Sequence, residues 1–176
     1  MTETPEFELP AAAIARFQEI LGVERVLLDE AQRDEYRDPY WHHDDRTYDS
    51  SAVLLATTTE EVQAVVRVAN EYSVPVWTHS QGRNNGYGGP SPRVRGSVLI
   101  SLRGMNRVLE INRDLAYAVI EPGVRWLDLH AALAESGNDD LLVSVPDIGW
   151  GSVIGNSLDS GATYLPLGAD FMAPTG

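Results

Sequence analysis

The spacing of apolar side chains predicts helices and short strands in the first part of the chain. In AAAIARFQEILG, apolar residues recur at helical spacing between Ile14 and Leu21, and Gly22 is suited to end that helix. VLL at 26–28 is short enough for a strand. Asp29 then opens a second helix with a capping-box pattern, and this helix is expected to stop before Pro39.

From residue 51 the pattern predicts a βαβ unit. SAVLLA at 51–56 has the continuous apolar character of a buried strand, and VPVWTH at 74–79 is a second one. Between them Thr58 is suited to cap a helix, with Glu61 three residues later and an apolar face along one side. Two strands that flank a helix in this way are typical of a βαβ unit.

The remaining strands are short and separated by polar turns, which favours an antiparallel meander. They are followed by a helix around WLDLHAALAES, by LLVSV, and by the glycine-rich stretch PDIGWGSVIGNSLDSG, which we interpret as a loop. The predicted meander strands are SVLISL at 97–102, RVLEIN at 107–112 and AYAVIEP at 116–122. The expected fold class is therefore α+β, with a βαβ start followed by an antiparallel meander.

Composition excludes several classes of function. The net charge of −13 argues against a nucleic-acid partner, which needs a basic face. The 13 basic residues are all arginines and there is no cysteine, which removes lysine Schiff bases, disulfides and thiolate chemistry. No apolar run approaches the roughly 20 residues of a membrane helix, so we expect no membrane partner and a cytoplasmic location. HHDD at 42–45 lacks the spacing of a metal site, and no metal is expected.

A glycine-rich loop, HSQGRNNGYGGP at 79–90, follows the second strand of the βαβ unit. Its backbone amides can approach a ligand without obstruction by Cβ atoms and can form an anion-binding concavity suited to a pyrophosphate. The alternative is that the glycines only make a long turn. Neither this loop nor the second glycine-rich stretch fits G-x-G-x-x-G or G-x-x-x-x-G-K-[ST], so residue types alone leave both readings open.

Several motifs in order resemble the flavin-binding domain of the vanillyl-alcohol oxidase family. They are GRNNGYGGPSPRVRGSV, MNRVLEIN, AYAVIEPGV, DLH and VPDIGWGSVIGNSLDSG, and the likeness runs over roughly residues 36–172. The chain is most similar to the branch that acts on para-substituted phenols such as 4-cresol, vanillyl alcohol and eugenol. The resemblance implies a PCMH-type FAD-binding fold and an FAD cofactor.

The resemblance also implies which residues hold FAD. The first loop would bind its pyrophosphate through backbone amides, and the second would line its ribityl chain and ring. The implied residues are Gly82, Arg83, Asn84, Asn85 and Gly86 in the first loop and Pro146, Asp147, Gly151, Ser152 and Asn156 in the second. His79, just before the first loop, either contacts the cofactor or makes a structural hydrogen bond.

The resemblance implies that Tyr87 binds the substrate and leaves Asp170 as a second catalytic candidate. Tyr87 matches a tyrosine that holds the phenol as phenolate, which agrees with the preference of a developing oxyanion for a hydroxyl donor. Asp170 stands one position after the place where the family has an acid near the flavin ring. Hydride would pass from the benzylic carbon to flavin N5 to give a quinone methide. Oxygen and a cytochrome are both candidate electron acceptors, and the full-length protein is a candidate homodimer.

The family is much longer than 176 residues, so we expect a truncated chain. Residues 1–50 would be an N-terminal helical arm and linker, and 51–176 a partial FAD-binding domain that is incomplete at its C-terminus. The cap domain that completes the substrate pocket in the family would be missing. The alternatives are a catalytically incomplete flavin-binding remnant and an FAD-linked alcohol or sugar-acid oxidase of the same fold.

Overall fold

A computed structural model describes residues 6–40, 45–84, 89–141 and 149–159. The chain divides into two compact units, Met1–Gly104 and Met105–Gly176. The first unit contains α1 (Ala11–Leu21), β1 (Val26–Leu27), α2 (Glu30–Asp34), β2 (Ala52–Leu55), α3 (Thr59–Glu71), β3 (Val76–His79) and β4 (Val98–Ser101). The second unit contains β5 (Val108–Asn112), β6 (Tyr117–Ile120), α4 (Trp126–Glu135) and α5 (Val153–Leu158).

The strands of the first unit form one sheet in the order β1-β2-β4-β3. The segment β2-α3-β3 is the predicted βαβ unit, and β4 lies between its two strands, parallel to both. The prediction that 97–102 belongs to an antiparallel meander is therefore wrong. β4 is buried along its whole length, and a strand covered on both faces carries the continuous apolar run of a central parallel strand.

The sheet of the first unit is covered on one face by α1 and α3. Phe17 and Leu21 of α1 pack with Val65 and Val68 of α3 and with Leu54 of β2 in the main core. The helices adopt these positions because their apolar residues recur on one side, as the sequence predicts. The opposite face has a smaller apolar cluster.

The predicted helix caps are confirmed in this unit. The Thr58 hydroxyl accepts a hydrogen bond from the Glu61 amide at 3.2 Å, and the Asp29 carboxylate accepts one from the Ala31 amide at 3.0 Å. Glu61 also forms an ion pair with Arg25 at 2.7 Å. Within the described ranges no helix is both long and apolar enough to cross a bilayer.

The second unit combines a β-hairpin with a helix. β5 and β6 pair antiparallel, as predicted, and their inner side chains pack against Trp126, Leu129 and Leu133 in the core around α4. The second glycine-rich stretch is not wholly a loop, because 153–158 forms α5. Ser152 caps this helix, since its Oγ accepts from the Gly155 amide at 3.0 Å. The division at residues 50 and 51 stays a prediction, although β1 pairs with β2.

Candidate functional site

The first glycine-rich loop leaves the sheet at the carboxyl end of β3. Gly82 has φ +66°, and a Cβ there would meet His79 Nδ1 at 3.1 Å and the Pro90 Cβ at 3.3 Å. Both the backbone conformation and the crowding therefore require glycine at this position. Arg83 is exposed and Asn84 is half-buried. Asn85, Gly86 and Tyr87 lie outside the described residues.

Arg103 contacts the start of this loop. The Arg103 Nε donates a hydrogen bond to the Gln81 carbonyl at 3.1 Å. The Arg103 guanidinium also lies 4.6 Å from the centroid of the Tyr36 ring, a cation–π distance. Burial raises the pKa of Tyr36 and lowers that of Arg103. Nothing in the sequence indicated that Arg103 and Tyr36 belong to this site, because both are distant along the chain from the glycine-rich loop.

His79 is buried beneath the loop, with 8% of its surface exposed. Its ring centroid is 6.1 Å from that of Tyr36, and neither ring nitrogen makes a hydrogen bond of normal geometry to a described residue. Burial, with smaller contributions from the charges of Arg103 and Arg83, lowers the pKa of His79 to about 3, and the Ser80 backbone opposes this shift. The imidazole is therefore neutral at neutral pH. The structural hydrogen bond that was one alternative for His79 is not found within the described residues.

The far end of the loop packs against a second buried charge. A Cβ at Gly89 would overlap the Asp38 carboxylate, so glycine is required there by close approach. Asp38 is 8% exposed, and its Oδ1 accepts from the Tyr40 amide at 2.9 Å. Asp38 lies in YRDPY at 36–40, the stretch with which the family resemblance begins. The sequence did not show that it contacts the loop.

In the second unit, residues 149–153 are fixed to the start of α4. The Trp126 amide donates to the Gly151 carbonyl at 3.1 Å, and Ser152 Oγ donates to the Pro122 carbonyl at 2.6 Å. The side-chain Nδ2 of Asn156 is buried and has no hydrogen-bond partner within the described part of the chain. Pro146, Asp147 and Asp170 lie outside that part, and the predicted roles of all these residues stay predictions.

The described residues fit an FAD cofactor. In the first unit both ring nitrogens of His79 are buried without a described hydrogen-bond partner. In the second unit the same holds for Asn156 Nδ2, and each is the kind of buried polar atom that a bound polar ligand satisfies. Gly82 adds a turn with no side chain between backbone and ligand. Within the ranges the structure covers, there is no group of three side chains suited to hold a metal ion.

Comparison with known proteins defines the class to which the chain belongs. Residues 50–164 match the FAD binding domain family. The match covers more than half of the chain, which therefore belongs to this family, and its cofactor is FAD. The predicted FAD cofactor is thus confirmed.

Two similar proteins are enzymes named for phenolic substrates. The chain is 34% identical over 164 residues to the 4-cresol dehydrogenase (hydroxylating) flavoprotein subunit of Pseudomonas putida, which covers 93% of this chain and 32% of that protein. It is 46% identical to 4-ethylphenol oxidase from Gulosibacter chungangensis in its isoeugenol complex, with a TM-score of 0.84 over 89% of this chain and 30% of that one.

A third relative confirms the predicted fold. Substrate-bound p-cresol methylhydroxylase superposes with a TM-score of 0.82 at 34% identity, over 92% of this chain and 31% of that one. The α+β, PCMH-type FAD-binding fold and the resemblance to phenol-oxidising flavoproteins are both confirmed. The chain spans about a third of the length of these relatives.

Proposed function

We propose that this chain supplies the cofactor-binding part of an FAD-dependent oxidoreductase that oxidises para-substituted phenols at the benzylic carbon. The observation that carries the proposal is the 46% identity to 4-ethylphenol oxidase over 89% of this chain. The orphaned His79 and Asn156 and the unobstructed Gly82 turn support it from the structure. When bound, FAD supplies the hydride acceptor at its N5 atom.

The chain's own residues bind the cofactor and orient the phenol. Backbone amides at 82–86 bind the pyrophosphate, while Asn156 donates its unpaired Nδ2–H to the cofactor and Ser152 fixes the local backbone. Tyr87 donates a hydrogen bond to the phenol oxygen, which favours the phenolate where water is excluded. The phenolate oxygen donates electron density to the ring carbon para to it, which bears the benzylic carbon, and so favours loss of hydride from that carbon.

The test uses protein expressed from its complete reading frame and loaded with FAD. Under anaerobic conditions 4-cresol, 4-ethylphenol, vanillyl alcohol and eugenol are added in turn, and loss of the visible absorbance of the oxidised flavin reports its reduction. We expect at least one phenol to bleach the flavin, whichever acceptor reoxidises it. Bleaching by D-lactate and by none of the phenols would support the alcohol or sugar-acid alternative instead.

Two variants separate cofactor binding from substrate binding. Gly86→Val should abolish FAD binding because its side chain blocks the approach of the amides to the pyrophosphate. Tyr87→Phe should retain FAD and weaken phenol binding by about tenfold, the loss expected for one hydrogen bond to a charged oxygen. Normal flavin content in Gly86→Val protein would contradict the placement of the pyrophosphate.

A further inference from the structure

Two buried polar side chains lie side by side at the carboxyl edge of the first unit's sheet. His79 of β3 and Ser101 of β4 are register partners, so their side chains point to the same face. Ser101 is 1% exposed, and its Oγ, like both ring nitrogens of His79, has no hydrogen-bond partner among the described residues. A buried donor left unpaired is destabilising, so an adjacent pair indicates that a ligand satisfies both.

The surroundings of this pair are positively charged in a chain of net charge −13. The charges of Arg103 and Arg83 both act on His79. Arg103 forms a long ion pair of 3.8 Å with Glu35, whose side chain is 76% exposed. The charge of Arg103 is therefore incompletely neutralised. Cations concentrated around neutral donors favour an anion as the missing ligand.

The position of the pair is also that of a ligand site. β2, β3 and β4 are parallel, so their carboxyl ends meet at one edge, where ligands of parallel sheets bind. The turn at Gly82 lies directly against the His79 ring. No Cβ at that position separates the ring from a group held by the loop.

We propose that His79 and Ser101 form the floor of the FAD pyrophosphate site, with Arg103 as its source of positive charge. The neutral imidazole donates one N–H and the hydroxyl donates its O–H to phosphate oxygens, which are strong acceptors. The inference rests on the proposed placement of the pyrophosphate at the Gly82 turn. A buried water bound by the same two side chains is the competing occupant.

The experiment measures ligand affinity in FAD-free protein with three variants. His79→Phe and Ser101→Ala remove the donors with little change in shape, and Thr78→Ala on the opposite, exposed face of β3 is the control. FAD, ADP and riboflavin are titrated by fluorescence or calorimetry, and the thermal midpoint of each ligand-free protein is recorded. ADP retains the pyrophosphate without the flavin, and riboflavin retains the flavin ring without phosphate.

We expect His79→Phe and Ser101→Ala each to weaken FAD and ADP binding by about tenfold or more, the loss for a hydrogen bond to a charged acceptor. Riboflavin affinity and the ligand-free thermal midpoint should not fall. Unchanged FAD and ADP affinity in both variants would overturn the proposal, and a lowered midpoint with unchanged affinity would identify a structural water. Gly82→Val that retains FAD would instead show that the cofactor placement itself is wrong.

Discussion

Acid should destabilise the FAD-free protein through His79. In the unfolded chain its pKa returns to the ordinary value of 6.5, whereas in the folded protein burial lowers it to about 3. Between pH 6.5 and about pH 3 the His79 imidazole is therefore protonated in the unfolded chain and neutral in the folded chain. Stability is fully present above pH 6.5 and falls as the pH decreases towards 3.

The magnitude follows from the gap between the two pKa values. Each pH unit inside the window lowers the free energy of unfolding by about 1.4 kcal/mol. Between pH 7 and pH 5 the loss is about 2 kcal/mol, a large fraction of a typical domain's stability. Arginine partners lower the pKa of Glu61, Glu121 and Asp128, so these carboxylates keep their charge in this window.

Urea denaturation at pH 7 and pH 5, followed by circular dichroism, measures this loss. The native protein should lose about 2 kcal/mol more on acidification than His79→Phe, which has no group to protonate. The comparison cancels titration by the other histidines, which both proteins share. An equal loss in the two proteins would refute the assignment of a neutral, buried His79.

Two further predictions concern backbone strain and a helix cap. Gly96 has φ +77° and a Cβ there would overlap the Phe7 carbonyl, so Gly96→Ala should lower the free energy of unfolding by about 2 kcal/mol or more. Gly137→Ala is the control, since Gly137 has φ +71° but open space around it, and a loss as large there would refute the overlap argument. Ser152→Ala removes the cap of α5 and the donor to the Pro122 carbonyl, so chemical denaturation should detect a loss of about 1 kcal/mol. An unchanged unfolding curve would show that the cap does not contribute.

Local pattern predicted most elements of the fold. The helices around 11–21, 59–71 and 126–135 follow from 3.6-residue periodicity and capping side chains, which act between near neighbours. β4 was placed in the wrong sheet because a short apolar run carries no information on its pairing partner. α5 was missed because glycines at 151 and 155 suggested a loop, whereas the Ser152 cap and contacts to the start of α4 stabilise a helix.

The candidate site was predicted only where its residues are consecutive. The sequence alone identified the glycine-rich loop. The structure shows why glycine is required at Gly82 and Gly89. Arg103, Asp38 and Ser101 were not identified, since each approaches the loop from another element.

The sequence alone determined most of the elements, the family resemblance and the cofactor, because periodicity, caps and ordered motifs are properties of short stretches of chain. Only the tertiary structure decided that β4 lies between β2 and β3. That insertion makes Ser101 the register partner of His79 and places Arg103 against the loop. Parallel pairing joins residues distant along the chain, so no local pattern specifies which polar side chains it brings together.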